Sequence, residues 1–409
     1  MTRLSRIHPY PAMIADDLAI QLSKQFVEPG QRVLDPFCGT GRTLLAAMER
    51  GAECVGIDVN PLAALITRAK STYPRSNILE KLLARLPTYS NSIVGHLIED
   101  LEPSRKVSWF SPEAKRELST LIHIINQAKL KDRELDFIAA ILSATTREVS
   151  YCRNDQWKLH RISNQARKSF FVSPLLVFER RLRSALQELT TIDNQPGGTL
   201  RVVTGDTRKL SDVLQRNLLP QEFDVVLTSP PYGDSRTTVQ YGGMSGISLG
   251  ILRYLHGIGL EALQGGEIDR RCLGGQSSGS TTPKSDDTLN NTLYWRGGTR
   301  NTARQRVYRF LSDLELCCEE ITSALRRGGW AVFVVARRTV GGWRLHLDRF
   351  IIEALERRRM RIEKLFTRQI EKKLAPRMVN SLGRTMQSGA TGRRVTTMRE
   401  EHILAFRKA

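Results

Sequence analysis

Long apolar segments and paired cysteines are missing from this sequence. No run of about 18 or more apolar residues predicts a membrane-spanning helix, and residues 1–12 are basic without the apolar stretch of a secretory signal. The six cysteines form no Cys-x-x-Cys pair, and no histidine stands at zinc-finger spacing from two of them. We therefore expect a soluble, cytoplasmic protein with free thiols and without a metal ion.

Acidic residues are also few: 42 Asp and Glu face 62 Lys and Arg, which gives a formal net charge of +20. An enzyme for a small neutral substrate does not need this imbalance, whereas a polyphosphate partner explains it through phosphate contacts and counterion release. A generally basic proteome is the alternative explanation. The 409 residues fit one large domain with insertions or two domains.

A strand, loop, helix and strand pattern opens the chain. Residues 32–35 and 54–58 are short apolar strands around a helix at 43–50, which predicts a parallel sheet with helices on its faces. Further strands are predicted at 200–203, 223–227, 330–335, 361–366 and 402–406. The fold class is therefore α/β, with a mixed but mostly parallel sheet.

Helical patterns replace strands between residues 71 and 195. Ser111-Pro112 is typical of a helix start, Asp132 can cap a second helix, and an apolar and basic run covers 175–189. We expect a helical insertion at 71–195, a candidate DNA-recognition region, between two parts of one catalytic domain at 1–70 and 196–409. Few large apolar residues occur at 265–292, which predicts a flexible loop within 262–305.

A glycine loop follows the first strand. The segment 35–41, Asp-Pro-Phe-Cys-Gly-Thr-Gly, combines a tight turn with bare backbone that a ligand can approach. It has neither the third glycine of the dinucleotide fingerprint nor the Gly-Lys-Ser/Thr of a P-loop. Asp58, at the end of the next strand, can accept hydrogen bonds from two ribose hydroxyls. The pattern indicates an adenosine-containing ligand without a pyrophosphate, although the loop alone also fits an ordinary tight turn.

A second motif, Ser229-Pro230-Pro231-Tyr232, ends the strand at 223–227. The prolines stop the strand and fix a rigid loop at the sheet edge where α/β folds bind ligands. An aromatic exocyclic amine is a poor nucleophile, because its lone pair is delocalised into the ring. The Ser229 hydroxyl and the Pro230 carbonyl can accept its hydrogens and localise that lone pair, while Tyr232 stacks on a flipped base. A solvent-exposed loop is the alternative for this tetrapeptide alone.

Together these motifs resemble the amino-methyltransferases of DNA, and Ser-Pro-Pro-Tyr is similar to their cytosine-N4 branch. The resemblance covers most of the chain outside 71–195 and 265–292. It implies a Rossmann-like, S-adenosylmethionine-dependent methyltransferase that acts on N4 of cytosine in double-stranded DNA. It also implies a restriction endonuclease as companion and a nucleoid-associated location in a prokaryote. Many cytosine-N4 enzymes have the two motifs in the opposite order, which weakens the transfer of a target-recognition region from any one relative.

The resemblance also implies roles for individual residues. His8-Pro9-Tyr10-Pro11 is similar to the motif that closes over the methionine part of the cofactor, and Gly205-Asp206-Thr207 to the motif whose acid reaches the adenine amine. The implied cofactor contacts are Tyr10, Asp35, Phe37, Gly39, Gly41, Asp58 and Asp206. The implied catalytic residues are Ser229, Pro230, Pro231 and Tyr232.

Other methyltransferases remain alternatives. An adenine-N6 enzyme usually has Asp or Asn in place of Ser229, an RNA guanine-N2 enzyme can share the cofactor loop, and a protein glutamine enzyme uses Asn-Pro-Pro-Tyr. Cytosine-C5 methylation needs a Pro-Cys loop, which this sequence lacks. A non-catalytic DNA-binding subunit would be expected to have degenerate motifs, and these are intact.

Candidate DNA contacts lie in three segments. Basic residues alternate with aromatics at 147–167. The other two segments are the strongly basic connection at 368–399 and the polar loop after Tyr232. A solvated amphipathic helix is the alternative for the first segment. The candidates are Arg147, Arg153, Trp157, Lys158, Arg161, Arg236, Lys372, Lys373 and Arg377.

Overall fold

The computed structural model describes residues 4, 7–11, 13–86, 108–153, 159–191, 197–233, 240–260, 265–275, 293–295, 300–340, 343–370, 378–380, 394–396 and 400–409. Its strands are β1 (Arg32–Asp35), β2 (Glu53–Asp58), β3 (Thr199–Thr204), β4 (Phe223–Thr228), β5 (Leu293–Trp295), β6 (Leu325–Val335), β7 (Arg338–Val340), β8 (Trp343–Leu345), β9 (Met360–Gln369), β10 (Met378–Asn380), β11 (Arg394–Thr396) and β12 (Glu400–Lys408). Its α-helices are α1 (Asp16–Phe26), α2 (Arg42–Glu49), α3 (Pro61–Ser71), α4 (Ser76–Arg85), α5 (Pro112–Gln127), α6 (Asp132–Val149), α7 (Asn164–Arg167), α8 (Pro174–Thr190), α9 (Leu210–Arg216), α10 (Tyr241–Leu252), α11 (Gly265–Arg271), α12 (Arg300–Ala324) and α13 (Leu347–Glu356).

Seven strands form one sheet in the order β3-β2-β1-β4-β6-β12-β9. The first five are parallel to one another, and β12 is antiparallel to both of its neighbours. Numbered within the sheet, the order is 3-2-1-4-5-7-6, which is the doubly wound Rossmann order with one antiparallel strand inserted near an edge. The predicted Rossmann-like, mostly parallel sheet is confirmed, and each strand expected from the sequence is present.

Alternate side chains of the central strands face opposite helical layers. Val33, Val225 and Val332 pack with α1 and α2 on one face. Leu34 and Phe333 pack with α9, α12 and α13 on the other face. Both faces of the central strands are therefore covered, which explains why these strands are nearly continuous apolar runs in the sequence. This double burial fixes the carboxyl ends of the strands in place.

Helices α4 to α8 lie between β2 and β3 in the chain, and α4, α5, α6 and α8 share a hydrophobic core with α3 and α10. The predicted start of α5 is confirmed, because the Ser111 hydroxyl accepts a 3.1 Å hydrogen bond from the Ala114 amide and Pro112 lies in the first turn. The predicted cap at Asp132 is wrong. Helix α6 already includes Asp132, and Lys131 precedes it without a side-chain cap.

The predicted flexible loop at 262–305 is wrong at both ends. Residues 265–271 form helix α11, residues 293–295 form β5, and α12 begins at Arg300, whereas 276–292 lie outside the described residues. A Cβ atom on Gly265 would lie only 2.2 Å from the carbonyl oxygen of Gly242 in α10. This glycine therefore permits close contact between two helices, and composition alone misread it as a sign of flexibility.

In the basic connection before β12, strands β10 and β11 pair as an antiparallel hairpin. Among the described residues, no helix has the length and apolarity needed to cross a membrane.

Candidate active site

The functional motifs meet at the point where the sheet reverses its strand order. Strand β1 lies between β2 and β4, and the three strands run in the same direction. Their carboxyl ends therefore carry the glycine loop, Asp58 and the Ser229–Tyr232 loop to one edge of the sheet. In open α/β sheets this switch point is the usual ligand site.

The glycine loop is held in a conformation that favours glycine. Gly39 and Gly41 have φ angles of +51° and +75°. A Cβ atom on Gly41 would lie 2.3 Å from Cγ2 of Thr67 in α3. The Thr67 hydroxyl donates a 2.8 Å hydrogen bond to the Gly39 carbonyl oxygen. Helix α3 thus packs directly on the loop and fixes its shape.

Asp58 is bonded to the same loop. Its Oδ2 accepts a 2.9 Å hydrogen bond from the Gly39 amide, and its Oδ1 accepts a 2.8 Å bond from the Asn60 amide. Burial raises the pKa of Asp58 to about 6, although both backbone hydrogen bonds favour the charged form. A carboxylate oxygen has two lone pairs, so each oxygen can still accept a hydrogen bond from a ligand hydroxyl.

Asn60 is a site residue that sequence reasoning missed. It is buried, and its Nδ2 donates to the Tyr10 hydroxyl at 2.8 Å and to Ser245 Oγ at 2.7 Å. The Tyr10 ring stacks on Tyr241 of α10, with 6.1 Å between centroids. These contacts hold the N-terminal segment and α10 against each other, next to Asp58. The only sequence signal was an Asn-Pro pair at the start of α3.

His8, which belongs to the same N-terminal motif as Tyr10, is also buried. His8 Nε2 lies 2.8 Å from Ser143 Oγ in α6, and the ring is buried. Burial lowers the pKa of His8 to about 3, so the ring is neutral near neutral pH. His8 thereby anchors the segment that contains Tyr10 to the helical layer.

Asp206, at the end of β3, is paired with an arginine two residues later. The Arg208 guanidinium donates to both carboxylate oxygens of Asp206, with Nη2 at 2.7 Å from Oδ2. The same guanidinium reaches Asp313 of α12 at 2.8 Å. Asp206 is thus held in one orientation at the switch-point edge. Phe37 is half-buried and packs against the same apolar cluster as Tyr232.

Asp35 is almost completely buried and links two loops. Its Oδ1 accepts hydrogen bonds from Thr228 Oγ1 at 2.6 Å and from the Phe37 amide at 3.0 Å, and its Oδ2 accepts one from Thr43 Oγ1. Burial raises its pKa to about 6 against the effect of these bonds. The carboxylate is used to join the cofactor loop to the end of β4.

The Ser229–Tyr232 loop leaves β4 as the sequence predicts. Pro230 is buried, and Ser229 Oγ lies 3.1 Å from the Tyr232 hydroxyl. That hydroxyl donates a 3.4 Å hydrogen bond to Oε1 of Glu401 in β12. Glu401 lies outside every motif that the sequence analysis used, so local reasoning could not connect it with this loop.

The candidate DNA contacts are only partly described. Arg153 is exposed, and the Arg161 guanidinium lies 5.4 Å from the Trp109 ring centre. Arg147 is half-buried, and burial lowers its pKa. The structure does not describe the remaining candidates, Trp157, Lys158, Arg236, Lys372, Lys373 and Arg377.

The sequence is similar to known DNA methyltransferases. The DNA methylase family, which groups N6 and N4 methyltransferases, matches residues 3–68. The Type II methyltransferase M.MvaI of Kocuria varians is 28% identical over 98% of this chain and 90% of its own length. The Type II methyltransferase M.BsoBI of Geobacillus stearothermophilus is 25% identical over 54% of this chain and 48% of its own.

A solved structure of an S-adenosylmethionine-dependent methyltransferase from Methanosarcina mazei covers 98% of both chains. Its identity is 8% and its TM-score 0.34, which is too low to bear on the assignment. The sequence relatives carry the comparison: the chain is similar to a Type II methyltransferase over almost its whole length, and residues 3–68 match the DNA methylase family.

Proposed function

We propose that this chain is an S-adenosylmethionine-dependent DNA methyltransferase that transfers the methyl group to N4 of cytosine in double-stranded DNA, at a specific site, as the modification enzyme of a restriction system. The observation that carries the proposal is the Ser-Pro-Pro-Tyr loop at the end of β4, on the same sheet edge as Asp58 and the glycine loop. The relatives named as Type II methyltransferases support the restriction role.

The residues at the switch point fit S-adenosylmethionine. The Thr40 hydroxyl, between the two glycines, is buried and has no hydrogen-bond partner among the described residues, so it can accept a polar ligand group. Asp58 would accept the ribose hydroxyls, and Asp206 would receive the adenine amine. Tyr10 and Phe37 would flank the ligand. When bound, the cofactor supplies an activated methyl group on a sulfonium.

Asp35 has a different part in this proposal. Because Asp35 is almost completely buried and accepts hydrogen bonds from Thr43, Thr228 and the Phe37 amide, it would position the cofactor loop against β4 without touching the ligand. The backbone of Gly39 and Gly41 would provide the close approach that the ligand needs.

The catalytic loop would act on the target amine. The Ser229 hydroxyl and the Pro230 carbonyl would accept its two hydrogens, which moves the nitrogen toward tetrahedral geometry and localises its lone pair. The Tyr232 ring would pack against the flipped base. By holding the amine beside the cofactor site, the loop would supply the proximity and orientation that account for much of the rate.

The net charge of +20 supports a duplex partner, since phosphate contacts dominate DNA affinity. Arg153 and Arg161, beside the helical layer, would contribute to this surface. The basic candidates outside the described residues would add further phosphate contacts.

The test is mass spectrometry of nucleosides from DNA incubated with the protein and S-adenosylmethionine. The proposal expects N4-methylcytosine, and sequencing of the modified DNA should place it at one short site. N6-methyladenine would overturn the role given to Ser229 but keep the fold and cofactor. Unmodified DNA, with methylated guanine in a parallel RNA digest, would reject the DNA substrate.

A further inference from the structure

An acidic side chain outside the known motifs lies beside the catalytic loop. Strand β12 runs opposite to β4 and β6, so it begins at the edge where they end. His402 pairs with Val335, the last residue of β6, and Thr228 pairs with Phe333 two residues earlier. The first residues of β12 are therefore held at the carboxyl edge of the sheet, next to the loop that follows β4.

Glu401 is connected to Ser229 through Tyr232. The phenol proton of Tyr232 goes to Glu401 Oε1, across 3.4 Å. Tyr232 has only this proton, so the 3.1 Å contact between Ser229 Oγ and Tyr232 Oη must use the proton of Ser229. The lone pairs of Ser229 are then left for a substrate amine. The direction of these two hydrogen bonds thus gives Ser229 the acceptor role that the proposed mechanism requires.

Charged groups on two neighbouring elements, β9 and α1, lie near Glu401. Its side chain is 15% exposed, and Arg368 of β9 places Nη1 3.9 Å from Oε2. Arg368 also binds Asp17 of α1 at 2.7 Å, so its charge is shared. Burial is the main effect and raises the pKa of Glu401, with Asp17 acting in the same direction and Arg368 and Tyr232 in the opposite one. Glu401 is consequently a better proton acceptor than an exposed glutamate.

Methylation of an amine releases one proton, and the loop itself cannot keep it. As the N–CH₃ bond forms, the S–CH₃ bond breaks and its electron pair stays on sulfur, which leaves a positive charge on a nitrogen that must lose a proton. Ser229 and Tyr232 can each take a proton only by passing one on. Burial raises the pKa of Tyr232 well above its usual value, so the phenol does not hold a negative charge there.

We propose that the Glu401 carboxylate takes up this proton through Tyr232 and Ser229, a role that rests on the proposed amine methylation. The amine proton moves to Ser229 Oγ, the Ser229 proton moves to Tyr232 Oη, and the Tyr232 proton moves to Glu401 Oε1. The nitrogen loses one proton and Glu401 gains one, so the three proton transfers balance. Glu401 does not contact the base, and it later releases the proton to solvent.

The experiment is a single-turnover methylation assay of Glu401→Gln at a series of pH values. We expect a rate about 100-fold below wild type near neutral pH, the usual scale for loss of a proton acceptor. The wild-type rate should fall as pH decreases through the raised pKa of Glu401, and this acidic limb should be absent from the variant. Glu400→Gln, an exposed neighbour bonded to Gln369, removes the same charge and is expected to retain the wild-type profile.

A second variant tests the proposal independently, in case Glu401→Gln fails to fold. Tyr232→Phe keeps the ring but removes the hydroxyl that connects Ser229 with Glu401, so it should lose the acidic limb as well. The double variant, with Glu401→Gln and Tyr232→Phe, should be no slower than the slower single variant. An unchanged rate and pH profile in Glu401→Gln, or additive losses in the double variant, would overturn the proposal. Product analysis is separate: N6-methyladenine would reject cytosine as target, whereas the pH profile would still report on Glu401.

Discussion

Thr228 Oγ1 donates a 2.6 Å hydrogen bond to Oδ1 of Asp35, although 193 residues separate the two in the chain. Asp35 ends β1 and Thr228 ends β4, and these strands are neighbours in the sheet. One buried contact therefore connects the residue that opens the cofactor loop with the residue immediately before Ser229. A substitution at either end of this bond should therefore alter the positions of both loops.

Thr228→Val tests that connection. Valine has nearly the same shape but removes the hydroxyl, which leaves buried Asp35 with one fewer donor and should cost about 1–3 kcal/mol of unfolding free energy. Denaturant unfolding measures the cost, and a single-turnover assay should show slower methyl transfer. Thr199→Val, at the exposed start of β3, is the control. Equal losses in both variants would show that the bond to Asp35 contributes nothing specific.

Gly41→Ala should destabilise the protein more than Gly39→Ala. Both residues have positive φ, which costs an alanine about 1–2 kcal/mol. Only at Gly41 would the new Cβ also meet Cγ2 of Thr67, at 2.3 Å, whereas nothing lies within 4 Å of a Cβ at Gly39. Overpacking adds about 1–3 kcal/mol. Thermal or denaturant unfolding of both variants gives the comparison.

Thr67→Ser is the matched rescue of Gly41→Ala. Serine removes the methyl group that would clash but keeps the hydroxyl that donates to the Gly39 carbonyl. The double variant should recover the overpacking part of the loss and retain the part that comes from φ. A double variant no more stable than Gly41→Ala alone would show that the contact with Thr67 does not limit this position.

Asp58→Asn should weaken S-adenosylmethionine binding and change its pH dependence. Hydrogen bonds to a charged group contribute about 1.5–3 kcal/mol, so we expect an affinity at least about tenfold lower at pH 7.5. Burial raises the pKa of the wild-type carboxyl to about 6, and its proposed role as acceptor of two ligand hydroxyls requires the ionised form. Wild-type affinity should therefore decrease as pH falls below about 6. Isothermal titration between pH 5 and 8 should find this decrease in wild type and a flat profile in the variant.

The sequence predicts local features of this site well. The strands, the Gly39–Gly41 loop and the position of Asp58 follow from short patterns whose geometry is set within a few residues. Gly265 shows the limit of composition, because the same residue serves flexible loops and close helix contacts. Only the position of α10 opposite it distinguishes the two.

Contacts between distant segments could not be predicted in this way. Asn60 meets Tyr10 across 50 residues, and Tyr232 meets Glu401 across 169. Both contacts depend on the tertiary arrangement, and the second also depends on the direction of β12 in the sheet, which periodicity does not reveal. The motifs therefore identified the residues proposed to touch cofactor and base, while the residues that orient them became visible only in the folded chain.

Ser229→Ala should slow methyl transfer without loss of cofactor binding. The hydroxyl is proposed to accept a hydrogen of the target amine, and an interaction made mainly in the transition state affects the rate rather than the affinity for cofactor. A loss of 1.4–2.8 kcal/mol corresponds to a single-turnover rate about 10- to 100-fold lower. Ser184→Ala, on the exposed face of α8, should match wild type in both assays.

Ser229→Asn separates hydrogen bonding from packing at the same position. Asparagine restores an acceptor oxygen in a larger side chain, so it should recover part of the rate lost in Ser229→Ala if acceptance from the amine is what matters. If alanine is instead as fast as serine, or asparagine is slower than alanine with cofactor affinity intact, shape and not hydrogen bonding governs this position. The single-turnover rate, with S-adenosylmethionine affinity measured in parallel, decides between the two.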